Sequence, residues 1–285
     1  MKKTWNWAAC GYNLPYQDDS EIIEICKYAG ITAVEANSSF SEGKSGRELE
    51  ESRKRYNQAG VKIDSFHLPM GEENDIASFY ETVRRKVADN TVRLMENAAL
   101  LGSRVVILHP STSRFYIEEE GMDRFLIQMG KTLEALLPKA EELKLVIALE
   151  NMLFGERGRV GSVPEHFTVF AEKFGHPNLG FCLDTGHALV AGGPNGPAKF
   201  FEAMKKCLVA FHLHDNAGDR DSHLAPGHGL VDWKSIFGRM AEMKFSDAVC
   251  IEAPPFNYAD NYKYSLDAWK KLTEETDALA ENSIK

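Results

Sequence analysis

Histidine and carboxylate residues recur in this sequence at the ends of short apolar segments. Such segments, rich in aliphatic and β-branched residues, are typical of buried strands. Six of them carry an ionisable residue at or near the end, namely His67, His109, Glu150, Asp184, His212 and Glu252. Ionisable groups are costly to bury unless they are paired or bind a metal. If the six segments end at one place, the sequence predicts a metal site there.

Three further patterns extend this set of donors. Asp184 and His187 lie three residues apart around a turn, and His212 and His214 share one face of a strand because side chains alternate. Asp221 and His223 form a second carboxylate–imidazole pair in the following loop. Nitrogen and oxygen donors without cysteine suit Mn, Mg, Co, Fe or Zn, so we expect at least one divalent ion.

Eight repeats of a strand followed by a helix position these residues. We predict strands at Trp5–Cys10, Ala33–Ala36, Lys62–His67, Arg104–His109, Leu145–Glu150, Leu179–Asp184, Val209–His214 and Ala248–Ala253. We predict helices near 20–29, 46–59, 74–101, 121–143, 163–174, 196–206, 232–243 and 262–282. The fold class is therefore α/β, a (β/α)8 TIM barrel formed by residues 1–285 as one domain, with its strand ends meeting at one mouth. An open doubly wound sheet would require two of the strands to be wrong.

Several motifs resemble one known superfamily. They are Glu150-Asn151, Leu183-Asp184-Thr185-Gly186-His187, His212-Leu213-His214-Asp215-Asn216, Pro226-Gly227-His228-Gly229 and Ile251-Glu252. Together they look like the xylose-isomerase-like TIM-barrel superfamily, which includes sugar phosphate isomerases and epimerases, ketose 3-epimerases, inosose dehydratases and the endonuclease IV family. The resemblance covers nearly the whole chain.

The resemblance implies roles for individual residues. The metal ligands would be Glu150, Asp184, His212 and Glu252, and the two glutamates would also be the catalytic acid and base. His212 is preferred over His214 because the family's ligand usually stands three residues before an acidic residue, here Asp215. The expected substrate contacts are His187, Glu156, Arg220, His67 and His109. Additional metal ligands are expected among His109, His187, Asp221 and His223.

The resemblance leaves several functions open. The first is a metal-dependent sugar or sugar phosphate isomerase or epimerase that transfers protons through a metal-stabilised enediolate. A dehydratase or lyase would use the same centre, and a barrel that binds sugar without catalysis is a further alternative. An endonuclease IV-like DNA-repair nuclease is favoured by nine matching ligands. It is disfavoured because the first strand runs Ala8-Ala9-Cys10-Gly11-Tyr12, without the Gly-Ser-His motif of the nucleases.

Composition narrows the partners and the compartment. With 33 basic against 42 acidic residues the net charge is −9, which counts against non-specific nucleic-acid binding. The partner that the resemblance implies is a small sugar-like substrate. Five widely spaced cysteines indicate reduced thiols and a cytoplasmic protein. No apolar segment is long enough to predict a signal peptide or a membrane span. Barrels of this type often pair, so a homo-oligomer is an open expectation.

Overall fold

Eight parallel strands form a closed barrel in the computed structural model, which describes residues 4–14, 18–112, 114–255 and 265–285. The strands are β1 (Asn6–Cys10), β2 (Ala33–Ala36), β3 (Lys62–His67), β4 (Val105–Leu108), β5 (Val146–Glu150), β6 (Leu179–Asp184), β7 (Leu208–Leu213) and β8 (Ala248–Ile251). Each pairs with the next along the chain, and β8 pairs with β1 to close the barrel. The predicted (β/α)8 fold is confirmed.

Helices cover the outside of the barrel. They are α1 (Asp19–Ala29), α2 (Gly46–Gln58), α3 (Glu81–Leu101), α4 (Ile117–Glu120), α5 (Met122–Leu143), α6 (Pro164–Phe174), α7 (Thr185–Gly192), α8 (Gly196–Met204), α9 (Trp233–Glu242) and α10 (Leu266–Ile284). Side chains satisfy free amides at several helix starts, as Asp232 does at α9. Glycines in the left-handed conformation end α1 and α3 at Gly30 and Gly102. The predicted start of the last helix, 262–264, lies outside the described residues.

Besides the short helix α4, which was not predicted, two helix predictions need correction. The segment predicted as a helix from residue 74 is helical only from Glu81, because Asp75 stabilises a turn before it. Its carboxylate accepts hydrogen bonds from the amide of Ala77 and the hydroxyl of Thr112, each at 2.8 Å. The second correction is α7, an unpredicted helix that begins directly after β6. Asp184 begins it by accepting the amide of His187 at 2.6 Å.

The inside of the barrel is lined by small side chains. Alternate residues of a strand point to opposite faces, and the inward-facing ones cluster in two groups. These groups consist of Val105, Ile107, Ala148, Cys182 and Ala210, and of Ala8, Cys10, Ala33 and Cys250. The large aromatic residues, such as Trp7 and Phe66, instead pack between strands and helices. The interior therefore has space for imidazole and carboxylate groups at the carboxyl ends of the strands.

The first strand and the last helix are joined by one side chain. Asp277 on α10 accepts hydrogen bonds from the indole of Trp7 at 2.9 Å and from the amide of Thr4 at 2.8 Å. Trp269, also on α10, is fully buried. None of the helices in the described residues has the length and apolar character needed to cross a bilayer.

Candidate metal and catalytic centre

Four side chains from the last four strands meet at the carboxyl end of the barrel. Glu150 and Asp184 end β5 and β6, His212 lies in β7, and Glu252 directly follows β8. One ligand atom of each lies within 4.8 Å of those of the other three, and all four residues are buried. The fold thus brings together the four residues expected to hold a metal, and their role as ligands stays a prediction.

Strand register sets this arrangement. Asp184 is directly opposite His212 in the β6–β7 pair, and His212 is opposite Cys250, two residues before Glu252. The Nδ1 atom of His212 lies 2.9 Å from Oε2 of Glu252 and 3.5 Å from Oε1 of Glu150. His212 therefore brings together the glutamate that ends β5 and the one that follows β8, since both approach its Nδ1.

Unpaired polar atoms in this group match the requirements of a cation. Oε2 of Glu150, Nδ1 of His212 and Oε2 of Glu252 are buried and form no hydrogen bond within the described residues. A buried polar atom left unpaired costs about 1–3 kcal/mol. Because ligand atoms of Glu150, His212 and Glu252 lie within 4.8 Å of one another and are all nitrogen or oxygen donors, the residues fit a divalent ion such as Mn, Mg, Co or Zn.

A second group of donors borders the first. Nε2 of His187 and Nε2 of His223 lie 3.3 and 3.0 Å from the same oxygen of Asp221. Nε2 of His214 lies 2.9 Å from Oδ1 of Asp184, which connects this group to the first one. Two overlapping triads, Asp184–His187–His214 and His214–Asp221–His223, have ligand atoms close enough to share an ion. The expected additional ligands are thus adjacent to the main group.

Two more histidines contact the outer oxygen of Glu150. Nε2 of His67 lies 3.4 Å and Nε2 of His109 lies 3.3 Å from Oε2 of that residue. The two rings pack edge to face, with centroids 5.2 Å apart. Tyr12 packs against the other side of His67, with centroids 5.4 Å apart. His67 and His109 therefore surround Glu150, and their contact with a substrate stays a prediction.

Main-chain carbonyls fix the tautomer of three of these histidines. The pairs are His67 Nδ1 with Leu68 O, His187 Nδ1 with Asn151 O and His223 Nδ1 with Glu252 O, each at 2.8 Å. A carbonyl oxygen can only accept, so each Nδ1 carries the hydrogen. Each Nε2 then faces a carboxylate at the centre, which is how metal-binding histidines are commonly arranged.

In this centre, neighbouring groups of opposite charge shift pKa values in the direction opposite to that caused by burial. Burial alone would raise the pKa of Glu150, but His212 and His109 hold that pKa well below its usual value. Burial alone would lower the pKa of His187, but Asp184 and Asp221 hold it well above its usual value. Carboxylates and imidazoles therefore stabilise each other's charged forms. A bound cation would supply the same compensation without those protons.

Backbone contacts make the Asp184 region rigid. The side chain of Asn151 donates to the carbonyl of Asp184 at 2.9 Å and accepts the amide of Asp184 at 2.8 Å. The next turn is closely packed, because a Cβ atom on Gly186 would lie 1.9 Å from Cε1 of His214. The main chain after β6 therefore has little freedom to move.

Sequence reasoning missed two buried residues of this centre, and two of its predicted substrate contacts lie outside the cluster. Glu35 on β2 is 1% exposed and contacts His212, and His214 bonds to Asp184 although it was set aside in favour of His212. The signal for both was alternation, since they occupy inward positions of their strands. Glu156 and Arg220 lie in exposed loops outside the cluster. Their contact with a substrate stays a prediction.

Sequence comparison establishes the family. Residues 23–272 match the family described as xylose isomerase-like TIM barrel. The chain belongs to this family. It is 30% identical over 215 residues to the uncharacterized protein MJ1311 of Methanocaldococcus jannaschii, covering 73% of this chain and 70% of that protein. It is 26% identical over 239 residues to a probable endonuclease 4 of Solibacter usitatus, covering 77% and 78%.

Solved structures share the whole architecture of this family member. A D-tagatose 3-epimerase-like protein superposes with a TM-score of 0.78 at 24% identity, covering 98% of both chains. An L-ribulose 3-epimerase superposes with a TM-score of 0.79 at 14% identity, covering 98% of this chain and 96% of that one. At these identities the similarity shows the fold.

Proposed function

We propose that this protein is a divalent-metal-dependent isomerase or epimerase of a sugar or sugar phosphate. The observation that carries the proposal is that the carboxylates of Glu150 and Glu252 both approach Nδ1 of His212, at 3.5 and 2.9 Å. Family membership and the shared fold of the 3-epimerases are consistent with it.

Proton transfer by the two glutamates is the proposed chemistry. Glu150, Asp184, His212 and Glu252 would hold a divalent ion, which would supply Lewis-acid stabilisation of the negative charge that develops on a substrate oxygen. One glutamate carboxylate then removes a proton from the carbon beside the carbonyl, and the other returns a proton from the opposite side. Return to the same carbon gives epimerisation, and return to the neighbouring carbon gives isomerisation. Loss of hydroxide from the same enediolate would give the dehydratase alternative.

The neighbouring residues prepare Glu150 for this role. His67 and His109 both approach its Oε2, while its Oε1 lies 3.4 Å from Nδ1 of His187 and 3.5 Å from Nδ1 of His212. These contacts fix the carboxylate in one orientation, which lowers the reorganisation needed when a proton is transferred. Arg220 and Glu156, in exposed loops, are proposed to contact substrate hydroxyls.

The second candidate is an endonuclease IV-like nuclease. The observation that favours it is the completeness of the donor set, because five residues in addition to the four central ones are close enough to serve as ligands. They are His67, His109, His187, Asp221 and His223. It ranks second because β1 leads to Tyr12 where the nucleases carry a histidine motif, and because the net charge of −9 opposes DNA binding.

Solvent deuterium exchange tests the first candidate. The purified chain with added Mn is incubated in deuterated buffer with a panel of ketoses, aldoses, their phosphates and inososes. We expect deuterium in one substrate, with Glu150→Gln and Glu252→Gln each losing at least about 100-fold of the exchange rate. Wild-type exchange in both variants would refute the roles of the glutamates. Cleavage of abasic duplex DNA at low salt, with no exchange in any sugar, would establish the nuclease instead.

A further inference from the structure

Glu35 is a buried carboxylate that the proposed proton transfer does not use. It lies on β2, across the barrel interior from β7, and it is 1% exposed. Its Oε2 accepts a hydrogen bond from the hydroxyl of Ser65 at 2.8 Å, and its Oε1 accepts the thiol of Cys250 at 3.8 Å. These neighbours hold the carboxylate in place, and its Oε2 also lies within hydrogen-bond distance of His212.

His212 lies between Glu35 and the catalytic glutamates. Its Nε2 is 3.1 Å from Oε2 of Glu35, and its Nδ1 is 2.9 Å from Oε2 of Glu252. Carboxylates approach both ring nitrogens, but a cation held beside Glu150 and Glu252 would require the lone pair of Nδ1, and the ring hydrogen would then lie on Nε2, where Glu35 can accept it. The lone pair of Nδ1 is then directed at the point where the ligand atoms of Glu150, Asp184 and Glu252 meet.

This arrangement is the reverse of that in the other histidines. In His67, His187 and His223 a main-chain carbonyl takes the hydrogen of Nδ1 and leaves Nε2 facing the centre. His212 presents Nδ1 to the centre, and a side chain takes the place of the carbonyl. The orientation of this one ring therefore depends on a residue that a substitution can remove.

We propose that Glu35 is a positioning residue that holds His212 in the Nε2–H tautomer and aims its Nδ1 at the metal. The proposal rests on the metal dependence contained in the proposed function. Carboxylates that accept the second N–H of a metal-binding histidine fix the ring and increase its basicity, and their loss commonly weakens metal binding by about 10–100-fold. Glu35 would act on the metal through His212, without touching the substrate.

A different use of Glu35 is a metal site formed with two cysteines. Atoms of Cys10, Glu35 and Cys250 are close enough to share an ion. Thiols bind metals as thiolates, however, and burial raises the pKa of the Cys250 thiol well above its usual value. Cys250 instead acts as a hydrogen-bond donor to Glu35. This hydrogen bond indicates that Cys250 holds the carboxylate of Glu35 in place and does not bind a metal with it.

Metal affinity measured without substrate tests the proposal. The full chain is stripped with a chelator and titrated with Co²⁺ and Mn²⁺ by calorimetry, and the visible spectrum of the Co²⁺ form is recorded. We expect Glu35→Ala to weaken binding by about 10–100-fold and to change the Co²⁺ spectrum. Glu35→Gln, whose amide oxygen can still accept the Nε2 hydrogen, should weaken binding less. If Glu35→Ala does not fold, the metal affinity of Glu35→Gln tests the proposal.

Asp75→Asn is the matched control. Asp75 is a carboxylate that is also 1% exposed, and it bonds to Thr112 and Ala77 away from His212. We expect it to keep wild-type metal affinity within about twofold even if it lowers stability. Folded Glu35 variants with wild-type affinity and an unchanged Co²⁺ spectrum would overturn the proposal, leaving the proposed reaction intact. Metal binding that depends on Glu35, without exchange in any sugar, would instead overturn the reaction and support this inference.

Discussion

Gly186 is the residue whose size the centre tolerates least. An added Cβ would lie 1.9 Å from Cε1 and 2.3 Å from Nδ1 of His214, which is fully buried and bonded to Asp184. Since the imidazole is also stacked on His223, with ring centroids 4.1 Å apart, and would have to shift, we expect Gly186→Ala to lower the free energy of unfolding by about 2–3 kcal/mol. Urea denaturation measures this, and a Co²⁺ titration should show weaker metal binding.

Gly192 provides the control in the same helix. No atom lies within 4 Å of a Cβ added there, so the substitution removes only the conformational freedom of glycine. Alanine also has the higher helix propensity, by up to about 1 kcal/mol. We expect Gly192→Ala to unfold at the wild-type urea concentration or slightly above it. Equal stability of the two variants would show that His214 is free to relocate.

Because of His166, we expect the free energy of unfolding to fall in acid. Burial lowers its pKa to about 4, and its Nδ1 accepts the amide hydrogen of Gly161 at 3.0 Å. Because the unfolded chain protonates near pH 6.5, the unfolded state binds more protons between pH 6.5 and 4. This contribution to stability is complete above pH 6.5 and is lost as the pH falls to about 4.

The comparison of His166 with asparagine measures that loss. In His166→Asn the side-chain oxygen can still accept the amide of Gly161, but it binds no proton in this range. Between pH 7 and pH 4.5 we expect the wild type to lose about 2 kcal/mol more unfolding free energy than the variant. Parallel pH profiles for the two proteins would contradict the prediction.

The sequence alone predicted those residues of the centre that are metal-ligand types and that also stand at the end of an apolar segment. Glu150, Asp184 and Glu252 each stand at the end of an apolar segment, so their convergence followed from the fold. Glu35 also lies near a strand end, but β2 has only four residues and gave no signal beyond alternation. The contact with His212 spans 177 positions in the chain, and it depends on how the barrel closes. Such pairs require the three-dimensional structure.

At the level of elements, Asp277 ties the two ends of the barrel together. It connects α10 to Trp7 of β1 and to Thr4. Removing its carboxylate would leave the buried indole N–H of Trp7 unpaired, at a cost of about 1–3 kcal/mol. We expect Asp277→Ala to be destabilised by that amount in urea denaturation. Asp267→Ala, also on α10, loses an exposed hydrogen bond from Tyr28 of α1 and should lose less than about 1 kcal/mol.

Strands were easier to predict than the helix boundaries. Continuous apolar segments such as Val105–Leu108 define the buried strands of a parallel sheet, and their limits differ by at most two residues from those predicted. The start of α3 was wrong because the turn at Asp75 depends on Thr112, which is distant in sequence. The helix α7 was missed because its residues, Thr185–Gly192, are buried from Thr185 to Leu189 and lack an amphipathic pattern.

For the whole molecule, the question is whether the metal supports the fold or only the chemistry. The core between strands and helices is continuous around the barrel, and the proposed ligands occupy only its carboxyl end. We therefore expect the chelated protein to keep its far-ultraviolet circular dichroism at 25 °C. Metal at about 100 times its Kd should add about 2.7 kcal/mol, which corresponds to an increase in Tm of about 5–10 °C. Loss of the circular dichroism signal on chelation would instead mean that the charges at the mouth prevent the barrel from closing until a cation binds.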